Sequence, residues 1–227
     1  MIPASPLPTP VAGPVFVRLL ARVAGVDTGA GPPLAATLAQ WIDWPRAVVL
    51  AGALDGRLPN DEAAPPGTDE DIATACTQAR AQLRGEILGD RLLAPADEPQ
   101  DEAAIDFAPL RARYVAHQRA ALVATGRLRG RLRELCAACA PLARLAEVDA
   151  AMEQILAPRE HVLLSGVPDL LAGHFERLRQ QVPATTPAVW LPRFRHDMRE
   201  LLLAELDLRF SPVDALIAAL APADPSP

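Results

Sequence analysis

Apolar residues recur along most of this chain at the three- and four-residue intervals of an α-helix. No stretch alternates with the period of two that a half-buried strand requires. From Pro14 to about Val26, the positions Val15, Leu19, Leu20 and Val23 share one helical face. Asp27 to Pro33 is punctuated by glycine and proline and reads as a loop. A second helix from about Leu34 carries Leu34, Leu38, Trp41 and Ile42. Pro45 ends or bends it near Trp44, and Val48 to Leu54 forms a further short helix. Residues 14–55 are thus expected to make a small N-terminal helical subdomain with the two tryptophans in its core, after a disordered proline-rich tail over 1–13.

Residues 56–67 read as a loop. Thr68 followed by Asp69, Glu70 and Asp71 is a helix start, because the hydroxyl caps free N–H groups and the acids face the positive end of the helix dipole. That helix, over 68–93, turns Ile72, Cys76, Ala79, Leu83 and Ile87 toward a core, and 94–108 follows as an acidic linker. Pro109 suits the first turn of the next helix. From Leu110 the spacing is nearly heptad through Tyr114, His117, Ala121, Ala124, Leu128, Leu132, Leu135, Cys139 and Leu142, and the seam continues through Leu145, Val148, Met152 and Ile155. Pro141 predicts a kink or short break within it, and Gly126 and Gly130 weaken the helix. Pro158 is expected to end the segment. Two helical pieces split at Gly166 and Pro168 follow over 159–182, then a loop containing Trp190. A last long helix runs from about Pro192 to Phe210, Ser211-Pro212 restarts a short one through Leu220, and 222–227 is a disordered tail. The expected fold is all-α: the N-terminal subdomain plus a long antiparallel coiled-coil-like helical bundle over 109–221.

Composition agrees with this pattern. Half the residues are hydrophobic but only 4% are aromatic, so alanine and leucine must do most of the packing, which favours helices over sheets. All 22 basic residues are arginine. The missing lysine excludes Schiff-base chemistry, the phosphate-loop lysine and the Ser-x-x-Lys pair. A net charge of −6 argues against a broadly basic nucleic-acid surface. Three cysteines make no disulfide framework and fit a reducing compartment. The start has no basic stretch leading into an apolar run, and Val15 to Val26 is too short to span a bilayer, so a soluble, cytoplasmic protein without membrane insertion is expected. Charge is segregated: residues 55–106 hold four arginines and thirteen acids, whereas residues 107–145 hold eight arginines and one acid.

Candidate chemistry is sparse. Cys136-x-x-Cys139 has the spacing of a redox pair or half a zinc site, but no second pair accompanies it, and packing along the helical seam accounts for it. His196 and Glu200 lie one helical turn apart, and Glu160-His161 borders an apolar run, yet neither Glu-x-x-His pairs nor His-Glu-x-x-His occurs. Ser165 lacks a Gly-x-Ser-x-Gly elbow, and the glycines between 25 and 33 follow no strand. No cofactor or metal is expected. The arginine run remains: Arg113, Arg127, Arg129, Arg131 and Arg133 could meet phosphate, an acidic partner or anionic lipid, or pair with the chain's own acids. Of the aromatic residues, Tyr114 alone lies nearby to stack on a nucleic-acid base.

The C-terminal third has a distinctive shape: Glu160-His161-Val162-Leu163-Leu164, Pro168-Asp169-Leu170-Leu171, Phe175-Glu176-Arg177-Leu178-Arg179, Trp190, Phe194, Asp197-Met198 and Leu201 through Arg209. With Phe16-Val17-Arg18-Leu19-Leu20, and Trp41 followed by Trp44, it resembles an uncharacterised family of proteobacterial proteins, domain-of-unknown-function family 3348. The resemblance covers most of the chain and rests on packing patterns. It implies helical cytoplasmic proteins encoded near predicted inner-membrane and peptidoglycan-binding proteins, and hence a membrane-associated assembly. It carries no activity. The functional expectation is a non-enzymatic scaffold or adaptor working through a protein partner or self-association. The alternatives are a nucleic-acid binder using the arginines of 111–133, and a metal- or thiol-dependent enzyme using His161, His196, Glu200 or Cys136.

Overall fold

A helix that must be buried on several sides needs apolar residues around most of its circumference, and the segment from Trp190 onward has them. In the computed structural model of the chain that segment is the axis of the fold. The structure describes residues 14–26, 41–55, 70–94, 105–181 and 190–221. The tails 1–13 and 222–227, the loop 27–33, nearly all of the helix expected from Leu34, the loop 56–67 with its Thr68 cap, most of the acidic linker and most of the loop expected over 183–192 lie outside the described residues, but Trp190, expected in that loop, is buried and begins the last helix. The helices are α1 (Val15–Ala24), α2 (Trp44–Asp55), α3 (Glu70–Leu88), α4 (Ala108–Ala138), α5 (Ala143–Ser165), α6 (Val167–Gln180) and α7 (Trp190–Leu220). No strand occurs among the described residues, and the chain is all-α as expected.

Helix α7 buries Leu191, Phe194, Met198, Leu201, Leu202, Leu206, Phe210, Val213 and Leu216 against α1, α3, α4 and α6. Helix α3 meets it with Ile72, Cys76, Leu83 and Ile87, as its spacing predicts. Where α6 crosses the start of α7, Phe175 packs edge-on against Trp190 at 5.0 Å and Phe194 at 5.2 Å, and Phe107 closes the group at 5.5 Å from Phe175. Helix α1 docks on α6 and α7 through Phe16 and Val23, with Leu19 and Leu20 partly buried. Val15, expected on that face, is exposed. Gly25 ends α1 at φ +71°, a conformation open to glycine, which brings the Val26 N–H back to the Ala21 carbonyl at 3.1 Å.

The seam from Leu110 to Ile155 breaks at Pro141, as expected, through a 3-10 turn (Ala140–Leu142), and beyond it α5 folds back along α4. Arg129 with Glu153, and Arg133 with Asp149, mark the antiparallel register. Other expectations change. Pro158 does not end its helix; both it and Gln154, whose carbonyl loses its N–H partner, are exposed, so water can satisfy the gap. Pro212 likewise sits inside α7, with no restart at Ser211, whose hydroxyl donates to the Asp207 carbonyl at 3.2 Å. The two tryptophans share no N-terminal core: α1 lies on α6 and α7, α2 lies on α5, and Trp44 is 81% exposed.

Candidate functional site

A glutamate in the apolar run Leu201 to Leu206 must find donors or destabilise the fold. Glu205 of α7 is 2% exposed and has them on both oxygens. The Tyr114 hydroxyl of α4 donates at 2.9 Å. The Gln118 amide donates at 2.9 Å and also to the Leu164 carbonyl of α5 at 3.1 Å. Arg209, one turn along α7, donates through Nε at 3.0 Å and Nη2 at 2.8 Å, and its Nη1 reaches Glu160 of α5 at 3.1 Å. Burial, and then the adjacent Glu205 carboxylate, push the Tyr114 hydroxyl well above the usual phenol range, so it stays a donor. The group joins α4, α5 and α7 at one point.

Two smaller networks repeat the pattern. Asp197 of α7 accepts from Arg22 of α1 at 3.0 Å and pairs with His174 of α6 at 3.0 Å. Burial raises its carboxyl, but the His174 hydrogen bond and the Arg22 charge outweigh that and hold it below the usual aspartate value. Asp90, just past α3, accepts the Leu92 N–H at 3.0 Å and meets His117 at 2.8 Å and Arg113 at 3.0 Å, both from α4.

The five arginines singled out from the sequence therefore separate. Arg113 is committed to Asp90, and Arg129 and Arg133 to the α5 acids Asp149 and Glu153. Arg127 and Arg131 are exposed and form no ion pair among the described residues. Cys136 and Cys139 are free and buried, and burial raises the Cys136 thiol, which makes it less reactive. His196 is exposed on α7, and among the described residues no group of His, Cys, Asp and Glu is arranged to hold a metal. His161 reaches a cleft. Sequence reasoning missed Glu205, Gln118, Arg209, Asp197 and the partners of Tyr114. An acid flanked by leucines on both sides, with arginine four residues on, was the available signal for Glu205.

The cleft, about 180 Å³, lies beside the Glu205 network. Arg111, Val115, Arg119 and Leu122 of α4 form one wall, His161, Ser165 and Pro168 another, and Gln118 and Arg209 reach it from the network. A larger groove of about 420 Å³ runs between α1 and α7, with Phe16, Leu19, Leu203 and Leu208 inside and Arg84 and Glu200 at its edge.

A family model described as "Protein of unknown function (DUF3348)" matches residues 3–222. No curated protein and no solved structure matches the chain.

Proposed function

Because the chain belongs to this family of proteins of unknown function, DUF3348, we propose its function from its own geometry: a non-enzymatic helical scaffold or adaptor that offers the outward face of α2 to an amphipathic helix of another protein. Trp44 carries the reading. Arg46, Ala47, Leu50 and Ala53 are half-buried on the side of α2 turned to α5, whereas Trp44, Val48 and Val49 are exposed. Trp44 and Val48 stand one turn apart, the spacing of an anchor pair in helix-to-helix recognition. Exposed tryptophan beside valine is the composition of interface centres rather than of solvated surface. The three polar networks support the reading, since they join α1, α6 and α7 to the α4–α5 hairpin on which α2 sits.

The test uses the full chain as bait in extract of its native host, read by mass spectrometry, with a Trp44→Ser/Val48→Ser variant beside it. The expected result is a reproducible partner that the variant loses while its circular dichroism is unchanged. Equal recovery by both baits, or no partner at all, overturns the reading. A concentration-dependent mass in light scattering that the variant abolishes makes the occupant a second copy of this chain. A membrane-associated assembly would be reached through the partner, since among the described residues no helix is long and apolar enough to cross a membrane. The nucleic-acid alternative keeps Arg119, Arg127 and Arg131 as its unpaired arginines, and salt-sensitive heparin retention lost in Arg127→Gln/Arg131→Gln would favour it.

A further inference from the structure

We propose that the cleft between α4 and the α5–α6 junction binds a phosphate group carried on a small, partly apolar molecule or on a lipid headgroup. The argument is independent of the adaptor reading and starts from the charges. Arg111, Arg119, Arg209 and His161 all line a space of about 180 Å³, and no acidic residue is in its lining. The acids that hold these arginines stand outside the lining. Glu205 and Glu160 together occupy three of the five N–H groups of Arg209, which fixes its plane and leaves two donors. Asp169 holds Arg111 at 3.1 Å in a pair exposed on both sides (50% and 74%), a weak bond that an incoming dianion can displace. Arg119 is exposed and has no ion-pair partner among the described residues.

A fixed arginine, a displaceable one and an unpaired one differ from a solvated charge run, in which each side chain points to water independently. Guanidinium forks carried on two helices, α4 and α7, suit the several oxygens of a phosphate, whereas a lone carboxylate is satisfied by one. Val115 and Leu122 line the same space and give the attached group an apolar seat.

The experiment titrates the full chain with inorganic phosphate by calorimetry and, separately, measures its co-sedimentation with phosphatidic-acid vesicles against phosphatidylcholine vesicles. Saturable phosphate binding with a millimolar Kd is expected, weakened at least about tenfold by Arg119→Gln, since one charge-assisted contact is lost. Arg127→Gln, also exposed and on the same helix, should leave it unchanged. Selective sedimentation with phosphatidic acid that Arg119→Gln abolishes assigns the phosphate to a lipid; phosphate binding without sedimentation assigns it to a soluble ester. The proposal is overturned if phosphate does not bind saturably, if Arg119→Gln binds as tightly as the native chain, or if Arg127→Gln weakens binding equally.

Discussion

Glu205 is tolerated in a leucine-rich helix because Tyr114, Gln118 and Arg209 occupy both of its oxygens. Removing it leaves the buried Tyr114 hydroxyl without its acceptor and Arg209 with Glu160 alone, so Glu205→Ala should lower unfolding stability by about 3 kcal/mol in chemical denaturation. Tyr114 is the one tyrosine of the chain, so its ionisation can be followed directly by ultraviolet absorbance. Its titration should lie well above the ordinary 10.0 in the folded protein and return there in denaturant. With the folded value raised, its contribution to stability is intact below the unfolded value and is lost as pH rises toward the folded one, so an alkaline loss should begin near pH 10.0 and be absent in Tyr114→Phe. A polar residue inside an apolar run could be seen in the sequence. Its partner could not, because Tyr114 and Glu205 are 91 residues apart and helical spacing reports only a residue's own face.

At the level of elements, apolar spacing found the helices well and prolines misled. The chain breaks at Pro141, whereas Pro158 and Pro212 sit inside helices, where the carbonyls they orphan, of Gln154 and Leu208, belong to exposed residues that water can reach. Spacing also could not tell one long seam from two helices facing each other, since both show the same apolar stripe. Two glycines, Gly126 and Gly130, lie inside α4. A Cβ added at Gly126 or Gly130 meets nothing within 4 Å, so Gly126→Ala and Gly130→Ala should each stabilise by about 0.5–1 kcal/mol, seen as a higher Tm. Helix α1 hangs on Asp197. Because its carboxyl is held low, the stability it gives is present above the ordinary value of 3.8 and is lost as pH falls through the lowered folded value. Asp197→Ala should cost about 2 kcal/mol, speed hydrogen exchange in α1 before the rest, and flatten the acid limb of the stability curve.

For the whole molecule, fold class was legible and assembly was not. Alanine, leucine and arginine in helical periods specify rods, but the order in which rods pack is decided by contacts between distant segments. The tryptophans show this: their nearness in sequence suggested a shared core, yet Trp44 is 81% exposed because α2 finds its seat on α5, far downstream. The cleft is also assembled from four helices: His161 and Ser165 stood out for other chemistry, and Arg111 and Arg119 only as part of the arginine-rich stretch 111–133.

The position of α7 as common axis bears on how the protein is made. Four helices share its surface, and it is synthesised after all of them. Arg22 must wait 175 residues for Asp197, about 10 to 35 s at ordinary translation rates, and until then α1, α3, α4 and α6 emerge from the ribosome with their leucines uncovered. Nascent chains stalled before Trp190 should therefore be bound by chaperones and cut readily by protease, and those stalled well beyond Leu220 should resist.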